Sequence, residues 1–231
     1  MKQLCLFTFI LFAAFYSSAQ DCKNYYFMTN NAKVQMTMYD KKGKESGIQT
    51  WNITDVKNTG SSFSSTVSTV FTDEKGKEIT KSNGTYICDG GMLKADIKMS
   101  MPQGQAQGPT AAAQMDAAYI EYPSGMAAGQ ALKDASFEMD TETNGMKSHV
   151  TFNQTNRKVA TSEKITTPAG SWDAYKISYD GFFRIKMMGI GVPMNLKVTE
   201  WFVPGFGIVK SETFDKKGNL MGSSMLTSIT K

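Results

Sequence analysis

Apolar and polar residues alternate in short runs along most of the chain. In the segment from Val34 to Tyr39, Val34, Met36 and Met38 fall on one face at the two-residue period of a strand. Between Ser62 and Thr72, Phe63, Val67 and Phe71 share a face, while Ser62, Ser64, Thr66 and Ser68 point the other way. That is the pattern of a strand with one side in a core and one in water. Met92 to Met101 reads as a further strand, entered through the turn Asp89-Gly90-Gly91. In the second half, Val150 with Phe152, then Val159 to Thr166, then Tyr175, Ile177 and Tyr179 read as successive short strands. Phe183, Ile185 and Met187 alternate against Arg184 and Lys186, and Met194, Leu196 and Val198 against Asn195, Lys197 and Thr199. Phe206 to Phe214 and Leu220 to Ile229 form a last hairpin, with Val203-Pro204-Gly205 as the turn before it.

Three turns share one chemistry. Asp40-Lys-Lys-Gly43, Asp73-Glu-Lys-Gly76 and Asp215-Lys-Lys-Gly218 each place Asp first and Gly fourth. The carboxylate can accept hydrogen bonds from backbone N–H groups further on, and Gly takes positive φ at little steric cost. Such turns join antiparallel strands, because parallel ones need long crossovers. No segment from Gln20 to Lys231 carries a long 3.6-residue apolar period. The expected class is all-β, built of antiparallel hairpin meanders, with at most one short helix.

One stretch breaks the pattern. Pro102 to Pro109 has no bulky apolar residue and reads as a mobile loop. Thr110 to Ala118 is alanine-rich and could make two helical turns. We expect a single domain over residues 20–231, with this loop near 102–118 dividing its halves.

The first residues are of another kind. Lys2 precedes an apolar run from Leu4 to Tyr16, too short for a membrane span, and Ser17-Ser18-Ala19 supplies the small residues of a cleavage site. Residues 1–19 are therefore expected to be a signal peptide. The mature chain would be exported, periplasmic or extracellular, and soluble, with no transmembrane segment. Gln20 and Asp21 precede Cys22 and do not make a lipidation site. Cys5 leaves with the leader, and Cys22 and Cys88 remain, a pair expected to form one disulfide in an oxidising compartment.

Composition narrows the function more by exclusion than by indication. There are 25 basic and 21 acidic residues, a formal charge of +4 with no basic block, so nothing favours nucleic acid as a partner. His149 is the only histidine, and its surroundings resemble a strand start, so we read it as a surface residue and assign no catalytic residues. One His and two paired Cys cannot build a structural zinc site, and the Asp turns hold too few carboxylates for a calcium loop. No phosphate-binding glycine loop occurs, and no cofactor or metal is expected. Gly170-Ser171-Trp172 matches the lipocalin tripeptide but lies too late in the chain, and Trp172 is read as a core anchor. Methionine is abundant, 16 in all, with Met187, Met188 and Met194 near Phe182 and Phe183, and Met92, Met99 and Met101 together. Thioethers fill irregular cores and also line adaptable apolar pockets; without His or Cys beside them, copper is the weaker third reading.

Thr167-Pro-Ala-Gly-Ser-Trp-Asp-Ala-Tyr-Lys-Ile177 and Glu200-Trp-Phe-Val-Pro-Gly-Phe-Gly-Ile-Val-Lys210, with Asp215 to Leu220 and Tyr86-Ile-Cys88, resemble segments of the TapB-like family of exported Gram-negative β proteins. That resemblance implies an antiparallel, strongly curved sheet or partly open barrel, a shape like that of bacterial carriers that cradle lipid on a curved sheet. The family is of unknown function and supplies no catalytic residues. Two readings follow. The first is a non-catalytic binding or carrier module for an apolar small molecule or lipid, which needs an apolar cavity of roughly 300 Å3 or more. The second is a structural or assembly protein of the envelope, meeting a protein partner at its sheet edges.

Overall fold

The computed structural model describes residues 22–60, 62–100, 118–143, 146–187 and 190–231. Residues 1–19 and almost all of the 102–118 segment lie outside them, and with them the leader, loop and short-helix expectations. Twelve strands form one antiparallel sheet. In chain order they are β1 (Lys33–Asp40), β2 (Glu45–Asn58), β3 (Ser62–Asp73), β4 (Glu78–Asp89), β5 (Met92–Asp96) and β6 (Tyr119–Tyr122), then β7 (Ala135–Thr143), β8 (Met146–Thr167), β9 (Gly170–Met187), β10 (Ile190–Val203), β11 (Gly207–Asp215) and β12 (Leu220–Thr230). The spatial order is β6-β5-β4-β3-β2-β1-β12-β11-β10-β9-β8-β7. Each half is a meander, and β1 against β12 joins the two. The antiparallel strands are those the alternation and the turns predict, and the sheet curls into a nearly closed barrel, as the resemblance implies. Helix is confined, among the described residues, to 3-10 turns at Cys22–Asn24, Tyr26–Met28 and Ile97–Ser100.

The Asp turns form as their residues dictate. Asp40 Oδ1 accepts from the N–H groups of Lys42 and Lys44 at 2.8 and 2.9 Å. Asp73 accepts from Lys75 and Lys77, and Asp215 from Lys217 and Asn219, in the same way. Gly43, Gly76 and Gly218 have φ of 77, 79 and 85°, where a Cβ would be strained. The pairing registers bring all three turns to one end of the barrel, which we call the rim.

Several sequence expectations need correction in extent. The strand from Met92 stops at Asp96 and gives way to the 3-10 turn at Ile97. Val150 to Thr166 is one strand, not two, and Tyr175 to Met187 lies within the single long β9. The reason in β8 is a bulge. Its register on β9 shifts between Thr155 and Lys158, and Asn156 takes φ 56°. The inward set is Val150, Phe152 and Gln154 before the bulge, and Arg157 and Val159 after it. The extra residue moves the inward phase from even to odd positions and aims Arg157 at the interior. Trp172 is only half buried, tilted against Phe206 with ring centroids 5.6 Å apart. It packs on the margin of the core rather than at its centre.

At the end opposite the rim, residues 22–28 close the barrel. Cys22 is bonded to Cys88 at the end of β4, with Cα atoms 5.5 Å apart. Tyr26 donates to the carbonyl of Thr230 at 2.6 Å. Phe27 stacks on Tyr86 at 4.1 Å and meets the edge of Trp51 at 6.0 Å. Gly207, with φ 127°, lies so close to Phe27 that an added Cβ would fall 2.8 Å from the ring. The aromatic plug sits against bare backbone there.

Candidate functional site

A cavity of about 610 Å3 occupies the barrel between this plug and the rim. Every strand but β7 contributes to its wall. Most of the wall is apolar: Met36, Met38, Trp51 and Phe71 from the first half, and Phe152, Phe183, Leu196, Val198 and Phe202 from the second. Phe27, Tyr86 and Leu93 make the buried floor, and Ile79 and Met221 are exposed where the cavity meets solvent. The volume is large enough to take a drug-sized ligand, which a packed β core would not be.

The wall holds one buried acid. Glu200 is 6% exposed and lies on β10 in phase with Leu196, Val198 and Phe202. Its carboxyl accepts from Tyr179 Oη at 2.7 Å and from Tyr122 Oη at 3.1 Å. Tyr122 belongs to β6, an outermost strand, so this bond crosses the barrel interior. Tyr122 also stacks flat on Phe202, centroids 4.7 Å apart, and the Arg157 guanidinium lies 5.1 Å from its ring centre. Arg157 is 1% exposed. Its Nη1 donates to the carbonyls of Glu121 at 3.2 Å and Lys133 at 2.6 Å. It thereby ties β6 and the segment before β7 to β8, across the seam where the sheet edges meet. The segment adds its own bonds to β8, from Leu132 N–H to Arg157 O and from Val159 N–H to Gln130 O.

Burial dominates the electrostatics of this cluster. It pushes the Glu200 carboxyl above its ordinary range, while Tyr179, the Arg157 charge and Tyr122 pull it partly back. Burial raises the Tyr122 and Tyr179 hydroxyls far above theirs, helped by the Glu200 charge, and raises Tyr86 as well. An acid whose folded pKa is raised contributes stability that is full below the unfolded pKa and is lost as pH climbs through the folded one. Glu200→Gln keeps the shape and removes that titration. Its urea midpoint relative to the parent protein is therefore expected to be constant below about pH 4.5, the ordinary value, and to rise above it. A difference that ignores pH, or that falls as pH rises, would contradict the assignment.

The other residues singled out from the sequence lie elsewhere. His149 points outward from β8 and its Nδ1 is 2.8 Å from Asp140 Oδ1. Among the described residues no three His, Cys, Asp or Glu side chains converge in a way that could hold a metal. Met36 and Met99 are buried and line the cavity, so their thioethers serve core and wall at once. Met187 and Met194 are exposed, contrary to a core role. Met101 and Met188 lie outside the described residues. Sequence reasoning missed Glu200, Arg157 and Tyr122. Glu200 carried a visible signal, an acid in the apolar phase of Met194, Leu196 and Val198.

Two solved structures share this architecture. One is of a protein named as exported, with a YmcC-like fold, from Bacteroides fragilis NCTC 9343. It has a TM-score of 0.68 and 22% identity, over 88% of this chain and 97% of that one. The other is of a protein named as a lipoprotein from Parabacteroides distasonis ATCC 8503, with a TM-score of 0.71 and 21% identity, over 89% and 98%. At such identity the likeness speaks for the fold alone. No curated protein matches the chain. The segments that resemble the TapB-like group fall within residues 29–226, where the family model that matches is a different one. The DUF3108-like family model covers residues 29–226, most of the chain, and the protein belongs to that family.

Proposed function

We propose that this is an exported, non-catalytic binding or carrier protein for an apolar, lipid-like molecule bearing a polar group. The observation that carries the reading is the 610 Å3 cavity, walled by Met, Phe, Leu and Val, with Glu200 and two tyrosine hydroxyls as a buried polar patch. An apolar body would fill the wall, and a single donor or acceptor on the ligand would meet the patch. Export is supported by the leader-like first 19 residues and by the names of the two structural relatives. No helix among the described residues is long and apolar enough to cross a membrane. The assembly reading is less favoured, because Arg157 of β8 ties the outer strand β6 and the segment before β7 into the barrel instead of leaving that seam open to a partner.

N-phenylnaphthylamine, a neutral fluorescent probe with one N–H, tests the reading. It is expected to brighten on binding and to be displaced by lipid extracted from the source envelope. Gly181 lines the cavity, and a Cβ there meets only ordinary contacts, the nearest being Leu196 at 3.5 Å. Gly181→Phe puts a ring into the cavity and is expected to weaken the probe by about tenfold or more. An unchanged affinity in a folded variant, or no probe binding by the parent protein, would remove the reading. Native mass spectrometry of protein purified without organic solvent identifies the ligand it carries.

A further inference from the structure

The rim is uneven. β10 pairs with β11 only as far as Leu196, which lies opposite Asp215, the first residue of an Asp turn. Its pairing with β9 runs on to Ile190 opposite Met187. The β9–β10 hairpin therefore runs six residues past the last β10–β11 pair, about 20 Å at strand rise. The same end carries every large apolar side chain that is exposed among the described residues. Ile190 and Val192 are the extreme cases, 80 and 79% exposed, with Met187, Met194, Ile79 and Met221 less so.

Register gives this hairpin two unlike faces. Ile190, Val192 and Met194 stand opposite Met187, Ile185 and Phe183, so all six share one face. That face continues inward through Leu196 and Val198, which with Phe183 line the cavity. The apolar lining thus runs out of the barrel and into solvent without a break. The other face carries Arg184 and Lys186, and Lys197 further down. From Gly181 to Thr199 there is no Asp or Glu at all. The adjacent β11–β12 turn adds exposed Lys216 and Lys217, against Asp215, whose carboxylate is engaged by its own turn.

We infer that this hairpin is a membrane-docking element. Its apolar tip enters the interface of a bilayer with anionic headgroups, and its basic residues meet those headgroups. The β9–β10 hairpin itself carries basic charge alone, and on the neighbouring β7–β8 hairpin, which also bears acids, Asp140 is paired with His149. Such a tip fits an anionic lipid surface, where burial of the apolar residues and attraction of the cations act together. A protein groove would have to supply both a dry slot and a negative margin. The proposal rests on the ligand-binding reading, since docking this end puts the cavity opening against the lipid from which an apolar ligand would come.

The test uses the exported chain with vesicles of phosphatidylcholine alone and of phosphatidylcholine mixed equally with phosphatidylglycerol. Co-sedimentation is expected with the mixed vesicles, little with the neutral ones, and a fall as salt rises. The variant Ile190→Asp with Val192→Asp alters two side chains in solvent, so it should fold normally and bind N-phenylnaphthylamine as before. Its affinity for the mixed vesicles is expected to drop about tenfold or more. Retained vesicle binding in that variant overturns the proposal, as does absence of binding by the parent protein. A soluble dimer that the same variant dissociates would assign the tip to a second copy of the chain instead, and also overturns it. Failure of the probe with intact vesicle binding would instead count against the cavity reading alone.

Discussion

Arg157→Ala is expected to destabilise the protein by about 3–5 kcal/mol, the range for removing one member of a buried charged network. Arg157 is 1% exposed, and its Nη1 meets both carbonyls of the seam. Its loss leaves the carbonyls of Glu121 and Lys133 short of a donor, opens a void beside the Tyr122 ring, and removes the cation that eases burial of Glu200. Each effect acts at the seam, so the damage should be local before it is global. Amides of β6 are expected to exchange with solvent much faster in the variant, while those of β1 and β12 change only with overall stability. Arg157→Lys should recover only part of the loss: Nη1 alone meets both carbonyls, which an ammonium can also do, but the planar guanidinium beside the Tyr122 ring is gone. Combining Arg157→Ala with Glu200→Gln should destabilise by less than the sum of the single changes, since the second removes the charge that the first leaves exposed to burial. Denaturant unfolding of the four proteins reads all of this. A loss below about 1 kcal/mol for Arg157→Ala would mean that the seam is held by something else.

Why such a residue escapes a reading of the sequence is a matter of phase. Strand alternation is strictly local, and it identified the faces of β1, β3 and the end of β10 from residues such as Val34, Met36, Val67 and Leu196. A bulge is one extra residue, and around Thr155-Asn156-Arg157 nothing apolar marks it. Counting by twos from Phe152 through that point turns Arg157 outward, where an arginine is unremarkable. β6 and β7 were missed for different reasons. Tyr119 to Tyr122 is too short to show a period. Ala135, Phe137 and Met139 do alternate against Ser136, Glu138 and Asp140, a signal available but unused. The inner face of β3 also holds Ser65 and Thr69, both buried, where alternation led one to expect apolar residues alone. The Asp turns were legible because carboxylate, backbone donors and positive-φ glycine all lie within five residues. The Glu200 cluster draws on β6, β8, β9 and β10, and only the curl of the sheet brings Tyr122 and Glu200 together across 78 positions. Sequence proximity carries no record of that closure.

Replacing both Cys22 and Cys88 with Ser is expected to lower stability by about 4 kcal/mol at most, from the entropy of closing a loop across 66 residues. For a chain of this size that corresponds to roughly 8–16 °C in Tm. The consequence reaches the cavity as well as the ledger of stability, because the bridge anchors the segment that forms the cavity floor. Without it the plug is still held by Tyr26 to Thr230 and by Phe27 against Tyr86. Both contacts depend on a segment that no longer has a covalent tie to β4. Phe27 is the floor residue nearest the freed end, so cavity and plug should loosen together. The double variant is therefore expected to be cut faster by protease near residues 22–28 and to bind N-phenylnaphthylamine more weakly than its loss of stability alone explains. Reduction of the parent protein by excess thiol under native conditions should reproduce both effects. A thiol-treated protein with an unchanged melting point and two labelled cysteines would show that packing alone holds the floor, and the bridge would then have no part in shaping the cavity.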